Sequence, residues 1–151
     1  QQLYRNERYW TLEEEKEYLL KYVEIQRARF GENIVVTIDF SKELTPLPIL
    51  RMLLQPLVEN SFEHGFSGRM KGCILIQAER WGSGVRFTVS DDGVGFVVSP
   101  ASISRKSIGL NNVRERLRLH YGERSVLEMT SRQPNGTIIS LTIPELKGEA
   151  I

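Results

Sequence analysis

Cysteine is nearly missing from this 151-residue chain: Cys73 stands alone. An internal disulfide is therefore excluded, and the thiol fits a reducing compartment as a buried strand residue. Histidine is almost as scarce. His64 and His120 lie far apart in sequence, so no Cys/His spacing suggests a structural metal. Long hydrophobic runs are lacking too. Stretches such as residues 73–76 fall far short of the roughly 18 apolar residues that suggest a membrane helix, and no secretory signal opens the sequence. Charge of one sign is also missing: 20 basic residues face 19 acidic ones for a formal net charge of +1. Without a basic run or a basic-aromatic stripe, nucleic acid is not an expected partner. What remains is a chain with 40% hydrophobic residues, enough for one well-formed core.

The chain is organised around residues 53–65, LLQPLVENSFEHG. Leu53, Leu54, Leu57 and Val58 form an apolar helical stripe, while Glu59, Asn60, Glu63 and His64 gather polar groups within two turns. Such a cluster is either a solvated helix face or a site. Upstream, Thr11 and Glu14 form a capping-box pattern that opens a helix running to Phe30, where Gly31 stops it. Alternation of Ile34, Val36, Ile38 and Phe40 predicts a half-buried strand. The central helix is expected to begin near Pro48, with Pro56 bending it. A hairpin follows, its strands meeting at Trp81-Gly82-Ser83-Gly84, with Val85, Phe87 and Val89 inward. Residues 96–108 read as a loop, and a helix is expected from Leu110 to Tyr121. A second hairpin turns at Pro134-Asn135-Gly136. Helix, strand, helix, two strands, helix, two strands predicts an α+β fold, one mixed sheet covered by helices on one face.

Three further segments carry possible chemistry. Asp91-x-Gly93-x-Gly95 sets a carboxylate at a strand end before two residues that permit close approach of a ligand, though such a sequence also closes ordinary hairpins. Residues 107–112, SIGLNN, run into a helix whose first N–H groups would favour a phosphate. Gly136-Thr137 opens the last strand after what reads as a type I′ turn.

In order and spacing, LQPLVEN…HG, DxGxG, GLxNVxERL…YG and GTxxxxxxP resemble the GHKL superfamily of ATP-binding domains, and more narrowly the catalytic domain of LytS-type sensor histidine kinases. The resemblance spans residues 11–144 and implies the two-layer α/β sandwich of the GHKL (Bergerat) type. It implies ATP and Mg2+ as ligands. Asn60 matches the magnesium ligand, and Glu59 the acidic position that orients water or accepts a proton from an attacking imidazole. His64 would lie near the phosphates. Asp91 matches the carboxylate that accepts from the adenine amine, Gly93 and Gly95 let base and lid close together, and Thr137 would support Asp91. Gly109 and Leu110 would set helix N–H groups against the phosphate chain.

Two positions depart from the pattern. Glu63 stands where the family commonly has lysine, which implies either weaker ATP binding or phosphate neutralisation by Arg105, Lys106, Arg114 or Arg116. Ser107 replaces a glycine, which implies a stiffer lid. No PHFLFN-like sequence precedes Thr11. Residues 1–10 are thus expected to be a remnant of an upstream linker or dimerisation helix, 11–145 the catalytic domain and 146–151 a tail. The implied activity is transfer of the ATP γ-phosphoryl group to a histidine on a dimerisation segment outside this chain, without which transfer is not expected. The implied partners are that segment, a response regulator and a second copy of the full-length kinase, with this domain in the cytoplasm and the full protein in the bacterial membrane. The alternative is a nucleotide-binding switch with little transfer activity.

Overall fold

A computed structural model describes residues 8–66, 71–94 and 100–145. The capping box at Thr11 forms as the sequence predicts. The Thr11 hydroxyl accepts from the Glu14 N–H at 3.2 Å, and the Thr11 N–H donates to the Glu14 carboxylate at 2.9 Å. Helix α1, Leu12–Phe30, starts there. It stops at Gly31, whose φ of 136° is left-handed backbone suited to glycine and whose N–H returns to the Arg27 carbonyl at 2.9 Å. Tyr9 and Trp10, which fall in the segment expected to be a remnant from upstream, form strand β1, Tyr9–Thr11.

Strand β2, Asn33–Phe40, runs parallel to β4, Lys71–Trp81; β5, Gly84–Asp91, β7, Thr137–Pro144, and β6, Val126–Ser131, complete a mixed sheet ordered β2-β4-β5-β7-β6. All neighbours except β2 and β4 are antiparallel. Alternation gives this sheet one apolar face. Ile34, Ile74, Ile76, Val85, Phe87, Val89, Ile139 and Leu141 are buried with helix residues such as Leu19, Leu57 and Leu117 in a common core. Val35, one residue out of phase with Ile34, is exposed. Cys73 shares that phase with respect to Ile74, so it is exposed rather than buried. The apolar run 73–76 is two faces of one strand, not a wholly buried segment.

The segment around Pro48 departs most from expectation. Pro48–Leu50 is strand β3, paired with β1 in a separate two-stranded sheet, and helix α2 begins only at Gln55. Pro56 therefore sits in the first turn, where its missing N–H breaks no helical bond, and it does not bend the helix. Helix α2 spans Gln55–Asn60 and passes directly into a π turn, Ser61–Gly65. Helix α3, Pro100–Tyr121, starts ten residues before Leu110. Proline is at home in the first turn of a helix, and residues 101–108 contain neither glycine nor proline to interrupt it. The last hairpin is joined by residues 132–136 rather than by a two-residue type I′ turn. Among the described residues no helix is long and apolar enough to cross a membrane.

Candidate functional site

The polar residues of α2 and the π turn face one open cleft. Pro56, Glu59, Asn60, Glu63 and His64 line it from one side, Gly109 and Leu110 from the other, around a volume of about 330 Å³. The wider π turn keeps residues 63 and 64 on the same side as 59 and 60; such turns recur at functional sites. Gly109 and Leu110 reach the cleft from within α3, so the expectation that they open a helix and offer its end N–H groups is not met. A Cβ added at Gly109 would meet nothing within 4 Å.

Behind the π turn lies Asp91, the last residue of β5 and only 2% exposed. Its Oδ2 accepts from the Ser61 hydroxyl at 2.8 Å and its Oδ1 from the Gly93 N–H at 2.9 Å, while the Thr137 N–H, opposite on β7, donates to the same carboxyl group. Burial pushes its pKa above the ordinary aspartate value, against the pull of those donors, with Asp92 adding to the rise. The surrounding backbone is close-set. A Cβ at Gly65 would stand 3.1 Å from Asp91 Oδ1, and one at Gly93 would stand 2.3 Å from the Gly65 carbonyl oxygen. That carbonyl accepts from the Val94 N–H at 2.9 Å. A Cβ at Gly136 would meet the Asp91 carbonyl oxygen at 1.9 Å, and its φ is 112°. Glycine at these places lets α2, β5 and β7 converge.

The arrangement brings Glu59, Asn60, His64, Gly109 and Leu110 to one cleft, and Asp91, Gly93 and Thr137 together behind it. Gly95 lies outside the described residues, as do the side chains of Arg105, Lys106 and Ser107. Arg114 and Arg116 do not line the cleft. Arg114 donates to Asn111 and to the Leu127 carbonyl, Arg116 to the carbonyls of Arg51 and Met52.

The family model for histidine kinase-, DNA gyrase B-, and HSP90-like ATPases matches residues 47–147. The chain belongs to that family. Its segments are similar to the sensor histidine kinase YesM of Bacillus subtilis, 36% identical over 138 residues, and to the sensor protein kinase HptS of Staphylococcus aureus, 31% identical over 147. These alignments take in 89% and 91% of this chain but only 24% and 28% of the relatives, so the chain spans about a quarter of the kinases it matches. The fold is that of histidine kinase catalytic domains. It superposes on the catalytic domain of histidine kinase ThkA with a TM-score of 0.69 at 21% identity, over 91% of this chain and 95% of that one. The histidine kinase domain of the Erythrobacter litoralis blue-light activated kinase gives 0.68 at 20% identity, over 93% and 69%.

Sequence reasoning missed three residues of this ATPase-like domain. Ser61 falls on the apolar stripe three and four residues beyond Val58 and Leu57, and a hydroxyl buried there required a partner. Glu15 likewise interrupts the stripe Leu12, Leu19, Val23. It is fully buried, and its carboxylate accepts from Trp10 Nε1 and from the N–H groups of Met52 and Leu54, fixing the approach to α2. Arg29, at the end of α1, forms an ion pair of 3.1 Å with Glu63 across 34 positions, which no local pattern announces.

Proposed function

We propose that this chain binds ATP with magnesium in the cleft beside α2 and donates the γ-phosphoryl group to a histidine on a dimerisation segment outside it. Asp91 carries the reading. A carboxylate offers about four lone-pair positions. Three donors of this chain occupy Asp91, which leaves one for the exocyclic amine of adenine. Guanine presents a carbonyl oxygen at the equivalent place, so a fixed carboxylate discriminates against it.

The phosphates would extend along Glu59, Asn60 and His64. Among the described residues no group of three or more acidic, histidine or cysteine side chains could hold a metal alone. Magnesium asks for no such cage, because it keeps waters and takes one or two protein oxygens together with phosphates. The Asn60 amide oxygen suits that role, and the ion would supply neutralisation of phosphate charge. Glu59 would accept the proton released when an imidazole nitrogen forms its bond to the γ-phosphorus and the bond to the ADP oxygen breaks. The catalytic domain would span residues 11–145, preceded by an upstream linker or dimerisation segment, in a homodimeric full-length kinase of the bacterial membrane whose next acceptor is a response regulator. A solved complex of histidine kinase ThkA with the response regulator TrrA contains a similar fold, TM-score 0.66.

A second reading, a nucleotide-binding switch with little transfer, is favoured by Glu59 and Glu63 facing the cleft where phosphates would lie. The test is to mix the chain with its dimerisation segment and Mg-ATP. Acid-labile phosphohistidine supports transfer; nucleotide binding without it supports the switch, and no binding of ATP removes both.

A further inference from the structure

Helix α1 runs alongside α2 and the π turn in the same direction, and polar contacts pair the two in step. The Tyr18 hydroxyl donates to the Gln55 side-chain amide oxygen Oε1 at 2.6 Å, Tyr22 lies in the field of Glu59 and Glu63, the Phe30 and Phe62 rings meet at 5.7 Å, and Arg29 pairs with Glu63. Along this ladder only one contact matches a cation to a carboxylate of the cleft. The pair is open to solvent, with side-chain exposures of 63% and 36%, so it adds little to stability. Its effect on the cleft is another matter. Two carboxylates, Glu59 and Glu63, line it, and among the described lining residues there is no lysine or arginine.

We infer that Arg29, remote in sequence and outside the cleft wall, sets the affinity for the triphosphate by neutralising Glu63, so that the phosphates meet one uncompensated carboxylate rather than two. The inference rests on the proposed nucleotide site and assigns Arg29 a positioning and charge-balancing role within it, not a catalytic one. Removing the guanidinium frees the Glu63 charge to repel phosphate. The repulsion grows with phosphate number and falls with salt over a screening length of about 10 Å at 0.1 M.

The experiment is isothermal titration of the 151-residue chain and its variants with Mg-bound non-hydrolysable ATP analogue, with ADP and with adenosine. Arg29→Gln is expected to weaken the analogue about three- to tenfold, ADP less and adenosine not at all. Glu63→Gln added to Arg29→Gln restores wild-type affinity, and Glu63→Gln alone binds at least as tightly as wild type. The Arg29→Gln deficit shrinks as salt is raised. A merely structural role for Arg29 would move all three ligands together and would not be rescued by removing Glu63. Equal loss across the ligands, no loss for the analogue, or a double variant as weak as Arg29→Gln overturns the inference. These outcomes leave the nucleotide site itself standing, whereas a wild-type chain that binds none of the three overturns both.

Discussion

Around Asp91 the neighbours are fixed: two N–H groups and a hydroxyl hold its oxygens, and the backbones at Gly93 and Gly136 close in to distances that a methyl group would violate. On the other side of the π turn, Glu59 and Glu63 stand in an open cleft, where Glu63 is balanced by a solvent-exposed ion pair with Arg29 rather than by packing. Under the proposed function the first region would act as a specificity element, where one hydrogen bond in a rigid setting selects the base. The second would act as a charge-balancing region that admits and releases highly charged groups. Rigid complementarity suits an amine of fixed geometry; open, screened electrostatics suit phosphates and a hydrated ion.

The contrast breaks most completely if Asp91 is changed. Asp91→Asn is expected to lower ATP affinity about 10- to 100-fold, the worth of a hydrogen bond to a charged acceptor, while costing at most about 1 kcal/mol of folding stability because the desolvated charge goes with it. Calorimetric titration with ATP and a thermal melt measure the two; unchanged affinity would remove Asp91 from the site. Next in size is Gly93→Ala. Its methyl would overlap the Gly65 carbonyl, and since the obstacle is backbone rather than a flexible side chain, a loss of about 1–3 kcal/mol in urea unfolding is expected. The same change at Gly109, where the space is open, is expected to stabilise α3 by up to about 1 kcal/mol. Were the two glycines to respond alike, the claim that one region is locked and the other open would be wrong. Ser61→Ala comes third. It removes one donor to a buried carboxylate, costing about 1 kcal/mol and weakening ATP about fivefold through a less well-held Asp91.

The rigid region was more legible in the sequence than the open one. Asp91, Gly93 and Thr137 follow from a strand end, a turn and the start of the last strand, and the sheet register sets Asp91 opposite Thr137. Short-range pattern suffices where backbone geometry does the positioning. It fails where contacts cross the chain. Nothing near Glu63 points to Arg29, and the apolar stripe of α1 has Glu15 in phase without saying that Trp10, Met52 and Leu54 await it. The start of α3 was misplaced for a different reason. Serine-rich residues 101–108 have weak helical preference and so read as a loop, although they contain no glycine or proline to break a helix.

The smallest expected effect is on pH, and it separates the two functions of the Asp91 carboxylate. Burial raises its pKa above the ordinary aspartate value in the folded chain. A carboxyl group whose folded pKa is raised binds its proton more tightly folded than unfolded. Its contribution to stability is therefore fully present below the unfolded pKa and lost as pH rises through the folded value. Glu15, raised by burial in the same way, adds with the same sign. An adenine amine, by contrast, is accepted by the ionised form. Acidification from neutrality through the raised pKa should thus weaken ATP while the stability term from Asp91 grows, two curves of opposite slope from one group. Titrating analogue binding and denaturant midpoint over the same pH series checks this, with Asp91→Asn as the reference. The variant should lose the acid-side fall in affinity and the Asp91 share of the stability slope, while keeping the share due to Glu15. If wild type and variant lose affinity in parallel, the titrating group lies elsewhere and the assignment of base recognition to the buried carboxylate fails.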